Sequence, residues 1–269
     1  MSALCARYEV SRAGYYAWRE HKPGVRGEQD RRLLARIQAV YTASEGTYGS
    51  PRVRGMLRQA GIQVARKRVA RLMREAGLKA RAASLYHPNP GTHTFFTNIP
   101  NRIRKLEISA ADQLWVGDIT YLKVAGTWRY LAAVMDRYSR RIIGWCLGSH
   151  KDAKLTVCAL NRAVIRRDPA EGLVFHSDRG IEYAAFEFRM RLAALGIVQS
   201  MNRPGKPTDN AHMESFFHSL KSDVIHGQRF HQETQLRETI RRYIVYYNRS
   251  RAHSALDYRS PIIFERMRA

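Results

Sequence analysis

Three acidic residues lie far apart in the chain, in local settings that suit a metal centre. Asp118 lies within residues 115–121, a run of otherwise apolar or small residues in which an unpaired charge is costly unless it meets a cation. Asp178 follows a short apolar run, and Glu214 comes after a further 35 residues. Two divalent cations about 4 Å apart need at least three carboxylates that point into one cleft. These residue types therefore predict a two-metal site for phosphoryl transfer.

The spacing of the three acids is a weak signal by itself. With 23 acidic residues in a chain of 269, roughly two pairs are expected at any offset by chance. The local settings of the three residues therefore carry the prediction. For any acid the alternative interpretation is a turn cap or a surface ion pair. That interpretation is adopted for Asp136, Asp152, Asp168, Asp209 and Asp223.

A helix over residues 209–221 must position Glu214. Residues 208–209, Thr-Asp, can cap its first backbone N–H groups. At about 100° per residue, Asn210, Glu214 and Lys221 lie on one stripe of this helix. The other side is apolar and is expected to dock on a core. Its large residues are Phe216, Phe217 and Leu220.

The two aspartates fit the strands of an α/β fold. Alternation and turn residues predict strands over 114–123, 127–135, 141–147, 173–175 and 197–200. Helical periodicity predicts helices over 154–166, 184–195 and 232–248. This order matches a ribonuclease-H-like mixed five-stranded sheet with flanking helices. Asp118 then lies on the central strand, and Asp178 lies at the end of the neighbouring strand.

The N-terminal part has a helical pattern of its own. Three short helices are predicted, at 28–41, from residue 50 to Gly61, and from residue 65 to Gly77. The third helix has an apolar side and a basic side. The basic side carries Arg66, Lys67, Arg68, Arg71 and Arg74. This arrangement predicts a small all-α, helix-turn-helix-like DNA-binding domain, with a solvated basic face on an ordinary helical bundle as the alternative.

Charge and cysteine usage restrict the class of protein. Lys and Arg number 46 against 23 Asp and Glu, a net charge of +23 that favours a polyanionic partner such as nucleic acid. No apolar run is long enough to span a membrane, and binding to a membrane surface is the weaker alternative. The three cysteines, Cys5, Cys146 and Cys158, form no CxxC pair. They predict a reducing cytoplasm, without structural zinc or disulfides.

Several motifs follow one another along nearly the whole chain. The central ones occupy residues 115–121, 136–141, 176–180, 200–203 and 209–216, with Lys221 after them. Upstream are residues 48–53 and 69–78. Downstream are Tyr247, Asn248, Arg251, His253, Ala255, Leu256, Tyr258 and Pro261. In this order the motifs resemble the OrfB transposases of bacterial insertion sequences, members of the retroviral-integrase catalytic-core (DDE) superfamily.

This resemblance implies roles for the site residues. It implies a D,D(35)E triad that binds two Mg²⁺ ions, with Mn²⁺ as a substitute, and the triad residues are Asp118, Asp178 and Glu214. It also implies that Lys221 contacts DNA near the cleavage point. His176 and Asn210 match positions beside the triad, where a supporting hydrogen bond and a substrate contact both stay open. Glu182 departs from relatives, which often carry glutamine there, and adds negative charge near the metals.

The resemblance also implies an activity and partners. An activated water would nick the end of the element, and the freed 3′-hydroxyl would attack a second phosphodiester without a covalent protein intermediate. The implied partners are double-stranded DNA, at element ends and target, an OrfA-type protein, and further copies of the chain on DNA. The expected location is the bacterial cytoplasm, at the nucleoid. The alternatives are a hydrolysing nuclease on the same fold and a DNA-binding regulator with an inactive site.

These observations predict four parts of the chain. Residues 1–80 form the helix-turn-helix-like module, and residues 81–109 form a basic linker. Residues 110–250 form the catalytic core with its closing helix, and residues 251–269 form a C-terminal tail.

Overall fold

The computed structural model describes residues 5, 7, 8, 10–19, 25–80, 99–203 and 210–268. The chain separates into two compact units, Met1–Lys79 and Ala80–Ala269. Most of the predicted linker and the predicted helix caps at 208–209 lie outside the described residues. The four-part division of the chain stays a prediction.

The N-terminal unit is helical, as predicted. Its helices are α1 (Arg12–Arg19), α2 (Val25–Ala43), α3 (Ser50–Gln59) and α4 (Arg66–Glu75). Gly61 and Gly77 follow α3 and α4 with φ values of 78° and 68°, a backbone region that favours glycine and ends both helices. The helices pack through buried apolar side chains, among them Ile37, Val53, Leu57, Val69 and Leu72.

The C-terminal unit is built on a five-stranded mixed sheet. Its strands are β1 (Leu114–Val124), β2 (Thr127–Asp136), β3 (Ile142–Gly148), β4 (Val174–Ser177) and β5 (Val198–Met201). Their spatial order is β3-β2-β1-β4-β5, with β1 antiparallel to β2 and parallel to β4. The predicted sheet, with Asp118 on its central strand, is confirmed.

Helices cover both faces of this sheet. They are α5 (Ala153–Arg167), α6 (Ile181–Ala184), α7 (Phe186–Ala194), α8 (Ala211–Leu220), α9 (Glu233–Arg249) and α10 (Pro261–Arg266). A π-helical turn, Lys221–Ile225, follows α8. Because neighbouring strand residues point to opposite faces, Val116 packs with α8 and α9, and Trp115 packs with α5 and α7. The predicted docking of Phe216, Phe217 and Leu220 on the core is confirmed.

Helix α5 lies very close to β3, and this closeness corrects the cysteine prediction. Gly144 on β3 has no side chain, and a methyl group there would overlap the backbone of Ala159 and Ala163 on α5. The close approach brings Cys146 and Cys158 together as a disulfide with a Cα–Cα distance of 6.0 Å. The prediction of no disulfide was wrong because cysteine spacing along the chain does not report how closely a helix packs on a strand.

The prediction for Asp223 also needs correction, because this residue lies in the interior. Asp223 and Arg251 are only 1% and 2% exposed, and their side chains form an ion pair of 3.1 Å. The Tyr243 hydroxyl donates to the same carboxylate at 2.8 Å. Since α9 and the residues after it fold back over the π-helical turn, the last part of the chain packs into the C-terminal unit.

Replacing Arg251 with Met is expected to destabilise the C-terminal unit by about 3–5 kcal/mol, because the Asp223 charge would remain buried without its cation. Arg242→Met is the matched control, since Arg242 pairs with Glu238 on the exposed side of α9 and should cost about 0–1 kcal/mol. Urea unfolding of both variants measures the difference. Equal costs for the two variants would contradict a structural role for the buried pair.

Candidate active site

Asp118 and Asp178 lie at the same end of two adjacent parallel strands. In the register of β1 and β4, Gly117 pairs with Ser177, and the two aspartates are the next residues on each chain. Neighbouring strands lie about 4.8 Å apart, so their carboxylates are brought close together. Each carboxylate accepts a local backbone N–H, Asp118 from Ile119 and Asp178 from Gly180. The structure thus brings together the two aspartates that the sequence singled out.

The surroundings of this pair disfavour the state in which both carboxylates are charged. Burial, and then the charge of Asp178, raise the pKa of Asp118 to about 8. Burial also raises the pKa of Asp178, and the N–H of Gly180 and the ammonium of Lys151 oppose that shift. Carboxylate oxygens are the ligands that Mg²⁺ and Mn²⁺ prefer, so this donor set fits a divalent cation.

Glu214 lies on the first turn of α8, above the same end of the sheet. Its charge acts on Asp118, where it helps to raise the pKa of the aspartate. The glutamate side chain itself is exposed to solvent. Among the described residues, no three His, Cys, Asp or Glu side chains are arranged to hold a metal ion. The two aspartates are therefore assembled in this conformation, and the third carboxylate is near but not joined to them.

Lys221 is held by an aromatic ring at the end of α8. Its ammonium lies 4.5 Å from the ring centroid of Tyr121, a cation–π contact between the helix and β1. Burial lowers the pKa of Lys221, and the charges of Tyr121 and Asp118 oppose this shift. Among the described side chains it makes no ion pair with Glu214, because seven helical residues span about 10 Å along the axis.

The two predicted supporting residues make hydrogen bonds inside the fold. The His176 ring is fully buried, and its nitrogens contact Ser200 Oγ at 2.8 Å and Asn202 Oδ1 at 2.7 Å, which ties β4 to β5 and the segment after it. The Asn210 amide donates to the Gly117 carbonyl at 3.1 Å. Asn210 thereby joins the start of α8 to the residue that precedes Asp118.

Glu182, on α6, lies beside the aspartates. It is only 4% exposed, and its Oε1 lies 3.3 Å from the Lys151 ammonium. Its Oε2 is buried without a hydrogen bond. A side chain on Gly180 would meet this Oε2 at 2.6 Å and Asp178 Oδ1 at 3.0 Å, so the two oxygens border the same small space. Glu182 thus adds a fourth carboxylate to the acidic end of the sheet.

Sequence reasoning missed Lys151. Its charge acts on both Asp118 and Asp178, although it precedes α5 in a loop. No motif or periodicity distinguishes this lysine from a surface lysine. Only the fold, which places the loop next to β1 and β4, reveals its position.

The predicted DNA-binding residues of α4 fall into two groups. Arg66 and Lys67 are exposed. Arg68 and Arg71 both bind the Asp30 carboxylate on α2, which holds the pKa of Asp30 below its usual value, first through Arg71 and then through Arg68. The first pair is available to a ligand, and the second pair is engaged within the helical unit.

Other assignments of single acids follow from the same geometry. Asp152 caps α5 by accepting the Leu155 N–H at 3.0 Å. Asp136 closes the turn after β2 by accepting N–H groups from Asp112 and Ser139. Both agree with the predicted role as turn or helix caps.

Protein-family models match residues in both units of the chain. The HTH-like domain family matches residues 28–84. The Integrase core domain matches residues 109–207, and a second Integrase core domain family matches residues 195–261. The HTLV-2 integrase catalytic core domain, solved in complex with magnesium, gives a TM-score of 0.45 at 15% identity, covering 58% of this chain and 97% of that one.

Curated relatives match over nearly the full chain. The insertion element IS600 31 kDa protein of Shigella sonnei is 35% identical over 263 residues, 97% of each chain. Transposase InsF for insertion sequence IS3A of Escherichia coli is 35% identical over 98% of this chain and 93% of its own. The transposase for IS904 of Lactococcus lactis is 34% identical over 91% and 98%. The chain therefore belongs to the insertion-sequence transposases, polynucleotidyl transferases that carry a divalent-metal-dependent integrase core domain.

Proposed function

We propose that this protein cuts the ends of an insertion sequence and joins them to target DNA. The observation that carries the proposal is the pair of adjacent carboxylates, Asp118 and Asp178, whose repulsion is relieved by no arginine among the described residues. Placing two carboxyl groups side by side in the protein interior is costly unless they bind a cation. The charge of Glu214, which also acts on Asp118, supports this residue of α8 as the third ligand.

Each residue of the proposed triad has a separate task. Asp118 and Asp178 would hold the divalent cations, Mg²⁺ or Mn²⁺, from the sheet. Glu214 would complete the set when its exposed side chain turns toward the aspartates on DNA binding. Bound metal ions would activate the attacking hydroxyl and stabilise the leaving oxygen. The hydrogen bond from Asn210 to Gly117 would hold the start of α8 against β1 while the Glu214 side chain moves.

Lys221 would bind a DNA phosphate near the cleavage point. Its ammonium is partly desolvated and lies against Tyr121, so it is held in place before the ligand arrives. A phosphate would replace the water that the ammonium has lost, which makes the contact stronger than one from a free surface lysine. The same residue lies two helical turns from Glu214, on the stripe predicted from the sequence.

The remaining partners are part of the same proposal. Double-stranded DNA would bind the core and the N-terminal helices, an OrfA-type protein would supply end recognition, and several copies would act together on DNA. The net charge of +23 supports a polyanionic substrate. Of the helices described, none is both long and apolar enough to cross a bilayer. We place the reaction at the bacterial nucleoid, in the cytoplasm.

Glu214→Gln is expected to reduce strand joining by more than about 100-fold, because the third metal ligand would lose its charge. The assay uses a pre-nicked element end, Mg²⁺ and the OrfA partner, and it separates joined products from hydrolysed ones. Glu187→Gln, an exposed acid on α7, is the control and should retain activity. Unchanged joining by Glu214→Gln would refute the triad, and hydrolysis without joining by the unmodified protein would favour the nuclease.

Asp118→Asn is expected to stabilise the metal-free protein at alkaline pH. The folded pKa of Asp118, about 8, is above its unfolded value of 3.8, so stability is lost as pH rises from about 4 to about 8. At pH 9 the variant should exceed the unmodified protein by more than about 1.4 kcal/mol, the equivalent of one pKa unit. Urea unfolding with a chelator at pH 5, 7 and 9 measures this.

Two further measurements make the Asp118 test decisive. Mg²⁺ should restore stability at pH 9 in the unmodified protein and have less effect in Asp118→Asn. Asp168→Asn, at an exposed position after α5, should keep the pH dependence of the unmodified protein. If the free energy of unfolding depends on pH in the same way for Asp118→Asn and the unmodified protein, the charged form of Asp118 does not destabilise the fold.

The double variant Arg66→Gln/Lys67→Gln is expected to weaken DNA binding and to reduce the slope of log affinity against log salt by about 1 to 2. Arg68→Gln/Arg71→Gln removes the same charge but should change the slope less, because Asp30 already engages both arginines. Fluorescence anisotropy on one duplex at several salt concentrations compares the two. A larger slope change for the second variant would reverse the assignment on α4.

A further inference from the structure

Two arginines on the turn between β2 and β3 lie near a histidine from α8. Arg137 and Arg140 lie on this turn, and both are half-buried. The Arg140 guanidinium donates to His212 Nδ1 on the first turn of α8. The charges of both arginines act on the His212 ring, so the three groups share one small region. We call these three residues the turn cluster.

The turn cluster has no acidic partner among the described side chains. Arg137 and Arg140 form no ion pair there. The charge of Tyr247 favours the Arg140 guanidinium, and the charge of the Asp136 carboxylate favours the Arg137 guanidinium. That carboxylate is fully buried and already accepts the N–H groups of Asp112 and Ser139, at 2.7 and 2.9 Å. The nearby negative charge is therefore committed to closing the turn.

Neighbouring arginines, in contrast, do have carboxylate partners. Arg141, on the same turn, binds Glu265 of α10 at 2.6 Å. Arg167 binds the same glutamate and Asp112, at 2.8 and 2.9 Å. The fold thus supplies carboxylates to the arginines on one side of the turn. Two guanidinium groups on the other side are left partly desolvated without one, a state that favours an external anion.

The protonation states of the turn cluster fit an anionic ligand. Burial, and then repulsion from Arg140, lower the pKa of Arg137 to about 10, so the guanidinium stays charged at neutral pH. His212 contacts Arg140 through Nδ1 of its ring. Because Nδ1 accepts from Arg140, the ring proton is on Nε2. The cluster offers two guanidinium groups and one ring N–H donor, and these groups can bind the oxygens of a phosphodiester.

We propose that Arg137, Arg140 and His212 form a binding site for one backbone phosphate of the DNA substrate. His212 precedes Glu214 by two residues on α8, so a phosphate held here would fix the start of the helix that carries the third carboxylate. The site is separate from Lys221, which lies at the other end of α8. The proposal rests on the proposed function only for the choice of DNA as the anion.

The test measures the salt dependence of DNA binding by the full chain. Arg137→Gln/Arg140→Gln should reduce the slope of log affinity against log salt by about 1, one phosphate contact's share of released counterions. Arg241→Gln/Arg242→Gln removes the same charge from the exposed side of α9, where Glu238 binds both arginines, and should leave the slope unchanged. An unchanged slope in the first variant, or an equal loss in both variants, overturns the proposal.

The single variant Arg137→Gln controls for a loss of DNA binding that is caused by misfolding. Arg137→Gln leaves the contact between Arg140 and His212 in place, so its unfolding midpoint should stay close to that of the unmodified protein. It should still lose part of the slope. If the double variant is destabilised, the slope of Arg137→Gln decides the question.

A competition experiment distinguishes a site for DNA phosphate from a site for free inorganic phosphate. Inorganic phosphate should compete with DNA at the unmodified site and lose this effect in Arg137→Gln. Stabilisation by inorganic phosphate with no change in the DNA slope would show a free-anion site and overturn the assignment to DNA. Because the slope is measured without catalysis, a failed catalytic assignment for Glu214 would leave this result unaffected, and the two failures are distinguishable.

Discussion

The repulsion between two carboxylates at the end of adjacent strands is the constraint on which the C-terminal unit depends. Parallel pairing of β1 with β4 places Asp118 and Asp178 side by side, and burial denies them the solvation that would relieve the repulsion. Lys151 offers partial compensation, and Glu182 binds that lysine from the other side. The ionised form of the two aspartates is therefore unfavourable without a cation, and binding of a divalent cation would stabilise it.

Packing around this pair is close enough to hold it in place. A side chain on Gly117 would lie 2.5 Å from the Phe175 ring, so this ring fills the space over Gly117 beside the two aspartates. The Asn210 amide binds the Gly117 carbonyl and joins α8 to the same point. Below α8, Phe216 and Phe217 fill the core shared with α9. Glu214 can thus be mobile at its tip while the backbone that carries it is fixed.

The distribution of carboxylate partners separates the cations that stabilise the fold from those that we propose to bind DNA. Arg251 and Arg167 bind buried or half-buried acids and stabilise the way the last residues of the chain pack on the core. Arg68 likewise joins α4 to α2 through Asp30. Among the described residues, the turn cluster and Lys221 form no ion pair with an acid, although they are also partly desolvated. In a strongly basic protein, the lack of a carboxylate partner is more informative than the charge itself.

The sequence by itself determined the element order, the five-stranded sheet, and the two aspartates, because alternation, helical periodicity and turn residues act over short stretches of chain. It also singled out Glu214, through the cap and apolar side of its helix. Only the tertiary structure decided which charges meet. Lys151 reaches the aspartates, Arg140 reaches His212, Asp223 becomes buried against Arg251, and Cys146 reaches Cys158 through packing between distant segments. Such contacts depend on how closely helices approach strands, and no local pattern in the chain encodes that distance.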